Sequence, residues 1–292
     1  MHGGRSFRRK WGLGLVILLL TLGFLMPAPI PAMAASGDAI FWTSMGLFSM
    51  LGAGAIAYAV WEKSRPDDQP RLLNGEFYAG GFLGAAFTHS QNLRYPDGFS
   101  LNNGLTRTSQ GSATLFSNQF NTSLTGGVKL GYFFHSIPYL GLEGESSVNN
   151  SYVNRRSLST SRPIQGASQV AVPNDFWINW TTALHIVARY GFLPDQEVPF
   201  GRLQPYVGIG PAVVVLYEEV DSAKNFGIDV MAGVRYMFTK HIGAFVEYKY
   251  NHQWDVEIES HAFYLPNGAE GRGTAHLDFD CHKVVMGMAY HW

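Results

Sequence analysis

A single cysteine, Cys281, in 292 residues excludes an intramolecular disulfide and says nothing of the redox compartment. Charge is scarce as well: only 15% of residues are charged, 21 basic against 22 acidic. That balance excludes the basic footprint of a nucleic-acid binder and gives no argument for a strongly acidic partner. No phosphate-cradling glycine loop, zinc-ligand spacing or serine nucleophile elbow is present, so no cofactor and no catalytic centre are expected. Glycine (33 residues) and aromatics (14%) are abundant instead. Aromatics favour strands, and glycine lets backbones approach closely, so the composition suits an all-β chain with tight strand packing.

The strongest pattern closes the sequence. Val284, Met286, Met288, Tyr290 and Trp292 alternate with Val285, Gly287, Ala289 and His291. A period of two sends the large apolar set to one strand face and the small or polar set to the other. A strand that ends on an aromatic, with its large face apolar, matches a membrane barrel strand: the large face meets lipid and the aromatic marks the boundary.

The other end reads as an export signal. Arg5, Arg8, Arg9 and Lys10 precede an apolar run from Trp11 to Leu25. Pro27, Pro29 and Pro31 break that run, and Ala32-Met33-Ala34 offers an A-x-A site before Ala35. This layout predicts a secretory signal peptide over 1–34, cleaved between Ala34 and Ala35. Residues 35–73 then form an apolar segment and a polar linker. From Ala39 to Trp61 no charge interrupts the chain, which is long enough for a membrane-spanning helix. Small residues at Gly46, Ser49, Gly52, Ala53 and Ala57 suit close helix–helix contact. The segment reads as a retained membrane helix that meets a partner membrane protein, as a buried or amphipathic helix, or as part of a longer cleaved region ending at Ala57-Tyr58-Ala59. The linker 62–74 reaches at most about 45 Å, so a retained spanning helix would share the barrel's membrane.

Residues 74–292 read as the barrel. Eight strands are drawn, near Gly75–Phe87, Asn121–Phe134, Tyr139–Ser147, Trp177–Tyr190, Gln204–Tyr217, Phe226–Phe238, Gly243–Val256 and Leu277–Trp292. Each can cross a membrane at a tilt. The connections alternate: His135–Pro138 and Thr239–Ile242 are tight, while His89–Phe120, Val148–Phe176 and Glu257–His276 read as long external loops. Strand parity assigns Lys129, Glu143, Glu145, His185, Arg189, Asp229, Arg235, Glu247, Lys249 and Lys283 to the lumen. Four acidic and five basic groups with one histidine must pair to be tolerated there. They form either a salt-bridged plug or a gated ion or water path. Inward glycines, among them Gly127, Gly131, Gly208, Gly210, Gly233 and Gly287, leave room for the long charged side chains.

Phe77-Tyr78-Ala79-Gly80-Gly81-Phe82-Leu83-Gly84, Gly127-Val128-Lys129-Leu130-Gly131-Tyr132, Pro205-Tyr206-Val207-Gly208-Ile209-Gly210, Gly233-Val234-Arg235-Tyr236 and Tyr290-His291-Trp292 together resemble the OmpA-like eight-stranded outer-membrane β-barrel family. The resemblance covers roughly Asn74 to Trp292. It implies an all-β fold, an eight-stranded antiparallel transmembrane barrel preceded by a signal peptide and an apolar helix, in the outer membrane of a diderm bacterium. It also implies contact with outer-membrane lipid and lipopolysaccharide, and a terminal signal, Tyr290 with Trp292, for barrel-assembly machinery. Trp292 stands where phenylalanine is commoner in that family. These are fold motifs, so they imply architecture more than activity.

The expected role is structural or interactive, without enzymatic activity, with a place in a larger membrane assembly if 39–61 is retained. A narrow gated channel is one alternative. A lipid A-modifying enzyme is the other, with His89-Ser90 and His252 as the residues to weigh; adjacent His89 and Ser90 point to opposite strand faces. Asp278, Asp280 and His282 alternate on one face near the outer end of the last strand. They would bind a divalent ion, bridge lipopolysaccharide, or form a solvated strand extension.

Overall fold

The computed structural model describes residues 75–217 and 222–292. The signal peptide with its cleavage site at Ala34 and Ala35, and the apolar segment 39–61, lie outside the described residues. Among the described residues no helix is long and apolar enough to cross a membrane, which says nothing of a barrel.

Among the described residues fourteen strands form, where the sequence suggests eight. They are β1 (Glu76–Thr88), β2 (Gln91–Tyr95), β3 (Phe99–Asn102), β4 (Arg107–Gln110), β5 (Ala113–Asn118), β6 (Ser123–Phe133), β7 (Leu140–Val153), β8 (Arg156–Ile164), β9 (Ala167–Val172), β10 (Asp175–Arg189), β11 (Leu203–Tyr217), β12 (Ser222–Met237), β13 (Ile242–Tyr264) and β14 (Glu270–His291). Antiparallel pairings run β1–β6–β7–β10–β11–β12–β13–β14 and return from β14 to β1, closing a ring of eight. The closing seam pairs Tyr78 with His291 through Thr88 with Cys281. Phe77 and Trp292 exchange both backbone hydrogen bonds, at 3.2 and 3.0 Å.

The three stretches read as long loops correct that reading most. His89–Phe120 contains β2 to β5, Val148–Phe176 contains the end of β7 with β8 and β9, and Glu257–His276 is the paired extension of β13 and β14. These pieces close a second ring, β14–β2–β5–β8–β9–β13–β14. Two of its joints are slight: β9 meets β13 only at Ala171–Tyr264, and β14 meets β2 only at His276–Arg94. The β3–β4 hairpin hangs on β14 at Glu270–Arg272.

The two rings have opposite polarity. In the eight-stranded ring the outward face is apolar and exposed, with Leu83, Leu124, Val128 and Met286 between 56% and 81% accessible. Its inward face carries buried charge. In the second ring the inward face is the apolar one: Leu93, Tyr95, Leu101, Leu115, Ile164, Val170, Ile258, Phe263 and Leu277 belong to one buried cluster. Strand β13 shows the switch within one element. Up to Gln253 its buried side chains include Glu247, Lys249 and Asn251; beyond, they are Val256 and Ile258. A one-residue register shift separates the halves, between Gln253 and Val256, with Asp255 at φ 47°. Such a bulge adds twist and re-aims side chains where pairing continues. Strand β14, 22 residues long, extends about 70 Å along its own path, far more than an apolar band of about 25 Å requires even at steep tilt.

Candidate functional site

Strand alternation alone brings the lumen charges together, because every second residue of eight strands faces one narrow interior. Lys129, Glu143, Glu145, His185, Arg189, Asp229, Arg235, Glu247, Lys249 and Lys283 are each at most 5% accessible. At the centre, Lys129 Nζ contacts Glu247 and lies 3.2 Å from Glu143 and 3.8 Å from Glu145. Lys249 Nζ lies 2.5 Å from Glu145 and 3.2 Å from Glu247. Two lysines thus share three carboxylates. His185 Nε2 meets Asp229 Oδ1 at 2.9 Å.

Two basic groups are held differently. Arg235 stacks its guanidinium 4.4 Å over the Tyr78 ring and 5.2 Å from that of Tyr206. Lys283 donates to Ser147 Oγ at 3.2 Å, with no carboxylate within ion-pair distance among the described residues. Tyr78 and Tyr206 complete the network: the Tyr78 hydroxyl donates to Glu143 at 2.5 Å and the Tyr206 hydroxyl donates to Glu247. Lys129 also faces the Phe245 ring at 4.6 Å. Two inward glycines are required by this packing. A Cβ on Gly131 would meet the Tyr78 ring at 2.1 Å, and one on Gly233 would meet Glu247 Cγ at 2.7 Å.

Sequence reasoning missed Glu76. It pairs with Arg189 Nη2 at 2.5 Å and accepts from or shares a proton with His291 Nδ1 at 2.5 Å, fastening the Trp292 end of the barrel. Its parity with inward Tyr78, Gly80 and Phe82 is the signal that would have found it. Arg189 is sandwiched as well, 3.5 Å over Phe133 and 4.2 Å over Phe200. At this end Trp292 stacks on Phe77 at 6.1 Å and Tyr290 at 6.0 Å, on the outward face.

Toward the other end the charges give way to a layer of buried amides and hydroxyls: Asn149, Asn179, Asn251, Gln253, Ser151 and Thr181. Above it lies the apolar core of the second ring. Trp177 is at the join, fully buried, 5.1 Å from Phe120 and 6.4 Å from Phe279. His261 lies in that core with Nδ1 2.8 Å from the Tyr95 hydroxyl. Burial holds its imidazole down at about 4, against a small opposing pull from Asp175.

On the outward face, the residues weighed for lipid chemistry separate. His252 Nδ1 meets Asp280 Oδ1 at 2.7 Å. Among the described residues, neither ring nitrogen of His89 nor the Ser90 hydroxyl takes a side-chain hydrogen bond, so His89 and Ser90 form no hydrogen-bonded couple; the His89 ring lies 4.8 Å from that of His282. Asp278 is drawn away from Asp280 and His282: it accepts from the Asp255 backbone N–H at 3.0 Å and pairs with Arg94 at 3.4 Å. Asp255, Glu257 and His276 bring their ligand atoms within 4.8 Å of one another, a set the sequence did not single out. Arg94 already neutralises Asp255 there, at 3.2 Å.

A family model described as the outer membrane protein β-barrel domain matches residues 22–269. No curated protein matches the chain significantly. Among solved structures, the outer membrane protein OprG from Pseudomonas aeruginosa is 14% identical over 75% of this chain and 96% of its own, with a TM-score of 0.44. Neisserial surface protein A is 12% identical over 74% and 99%, with a TM-score of 0.40. The outer membrane protease OmpT from Escherichia coli is 10% identical over 77% and 99%, with a TM-score of 0.42. The family match covers most of the sequence, and the chain belongs to the outer-membrane protein β-barrel family and resides in the outer membrane of a Gram-negative bacterium.

Proposed function

We propose that the chain is a closed, non-enzymatic eight-stranded transmembrane barrel that holds a folded extension outside the cell for contact with a partner. The observation that carries this reading is the double seal of its interior. Paired charges fill the membrane ring, and an aromatic and aliphatic core fills the ring above it. A lumen blocked by ion pairs in low dielectric opens only at the cost of stranding a buried charge. The second ring supports the interaction role, because burying an apolar core in a loop region is superfluous for anchoring alone. Export through the periplasm orients the Trp292 end inward and the second ring outward. Tyr290 and Trp292 then serve barrel-assembly machinery, and the apolar band meets outer-membrane lipid and lipopolysaccharide.

Planar-bilayer recording of the purified full chain tests the seal. No steady conductance is expected; a steady conductance that changes when Glu247 and Lys249 are neutralised would establish the channel reading instead. Lipid A acylation on expression separates the enzymatic alternative, and an altered acyl pattern would displace the non-enzymatic reading. The reading of 39–61 as a contact for a membrane partner is tested by mass spectrometry of the mature N-terminus, since a start beyond Trp61 removes it.

A further inference from the structure

Between the paired charges of the membrane ring and the apolar core above them, one level of the interior is lined by small side chains. Ala86, Thr125, Ser147, Thr181, Gly227 and Cys281 face inward there from six different strands, all buried. Inward aromatics stop at Phe82 and Phe245 on one side and resume at Trp177 and Phe279 on the other. The apolar clusters break at the same place: Ala183, Ala212 and Val214 form a group of their own, joined neither to the cluster of Phe82 nor to that of Trp177. Strand number and stagger fix the girth of a barrel. A level lined by small side chains therefore keeps room that rings occupy elsewhere.

The polar groups at this level are half-satisfied. Asn149 on β7 lies directly opposite Asn179 on β10. Asn149 Nδ2 donates to Ser151 Oγ at 3.4 Å, and Asn179 Oδ1 accepts from Thr181 Oγ1 at 3.2 Å. Asn149 Oδ1 and Asn179 Nδ2 have no partner among the described residues, although one accepts, the other donates and their strands are adjacent. Gln253 on β13 repeats the pattern: Nε2 donates to Asn251 at 3.0 Å while Oε1 has no partner. Lys283 carries three N–H donors and spends one on Ser147 Oγ. These four side chains are each at most 1% accessible. Exchanging nitrogen and oxygen within the amides leaves the same positions bare.

We infer that this level is a chamber that binds a cluster of ordered water molecules, held by Asn149, Asn179, Gln253 and Lys283. Buried polar groups are nearly always hydrogen-bonded, and groups that fail to reach one another across a roomy polar space meet through a guest. The guest is neutral. Glu76 brings the carboxylates of the lumen to five, equal to its lysines and arginines, so an added ion of either sign would stand uncompensated. The guest must also donate, to Asn149 Oδ1 and Gln253 Oε1, and accept, from Asn179 Nδ2 and Lys283 Nζ. Water does both and is small enough to be enclosed between the two seals. In this chamber water solvates the Lys283 ammonium in place of a carboxylate. The chamber is independent of any partner that the outer ring meets.

Two measurements test the chamber. The first is X-ray diffraction from the full chain, refolded in detergent and crystallised in sodium bromide. Ordered water is expected within hydrogen-bond distance of Asn149 Oδ1 and Asn179 Nδ2, with no anomalous bromide signal at Lys283. The second is urea unfolding of two variants that each add two methyl groups to an inward alanine. Ala183→Val, beside the chamber, should leave the unfolding midpoint unchanged or raise it, because the methyls enter space held by water. Ala289→Val, in the packed cluster of Tyr78 and Phe82, should lower it by overpacking. Direct closure of Asn149 on Asn179 with no water density would overturn the chamber. A bromide peak at Lys283 would make it an anion site instead. A midpoint lowered as far in Ala183→Val as in Ala289→Val would show a level packed solid.

Discussion

Glu247 is the member of the lumen network whose removal says most. One of its oxygens contacts Lys129 and accepts from Tyr206, and the other lies 3.2 Å from Lys249. Removing one partner of a fully buried ion pair costs about 3–5 kcal/mol. Here the lysines are not stranded: Lys129 keeps Glu143 at 3.2 Å, and Lys249 keeps Glu145 at 2.5 Å. Glu247→Gln should therefore cost less, about 2–3 kcal/mol, part of it from the Tyr206 hydroxyl losing its charged acceptor. Lys129→Gln should cost a similar amount, since it leaves Glu143 with only the Tyr78 hydroxyl and the more distant His185. The double variant restores charge balance. It should cost no more than about 3 kcal/mol, a coupling of at least about 1 kcal/mol for groups in direct contact. Urea unfolding in lipid vesicles, followed by tryptophan fluorescence, measures all three. Costs that add to within about 0.5 kcal/mol, the behaviour of independent sites, would refute the shared-carboxylate network.

Further outcomes follow from the same packing. Gly131→Val should destabilise the barrel by about 1–3 kcal/mol or prevent folding, because its Cβ overlaps Tyr78, whereas Gly81→Ala, with 3.9 Å to its nearest neighbour, should be near neutral in the same unfolding assay. Trp177→Ala should remove about 3–5 kcal/mol from the join of the two rings, seen as protease sensitivity of the outer ring with the membrane ring still resistant. His261 is held at about 4, below the ordinary 6.5, so the unfolded chain takes up its proton first as pH falls. Its contribution is complete above about pH 6.5 and drains away toward pH 4, up to about 3 kcal/mol in all. Limited proteolysis of the outer ring across that range should steepen accordingly, and His261→Gln should flatten the dependence; an unchanged pH profile in that variant would count against the assignment.

The membrane ring was legible because its pattern is simple. Apolar residues alternate with small or charged ones, and Lys129, Asp229, Arg235, Glu247 and Lys249 fall on one parity. The outer ring was not, because the polarity of the same parity reverses within a strand. Along β14, inward Val285 and Lys283 are followed by inward Cys281, Phe279 and Leu277, while outward Met286 and Val284 are followed by His282, Asp280 and Asp278. Read with a lipid-facing template, the second half looks like noise. The bulge at Asp255 adds a residue that breaks the count, and β3 and β4 have only four residues each, too short for alternation to register. Within the lumen, parity located the charges but not their partners. Glu76 was passed over because it begins its strand, and the stacking of Arg235 on two tyrosines depends on rings meeting across the interior.

The buried polar contacts of the lumen join strands made at very different times. Lys129 on β6 meets Glu247 on β13, 118 residues later, and Lys283 on β14 reaches Ser147 on β7, 136 residues earlier. A partly assembled sheet that entered the bilayer before β13 and β14 had joined it would carry Lys129 and Glu145 toward lipid without their full complement of partners. Such intermediates lie high in free energy, so a half-inserted barrel has little kinetic lifetime. The network therefore biases assembly toward late, concerted insertion, with closure of the β1–β14 seam as the step that commits the chain to the membrane.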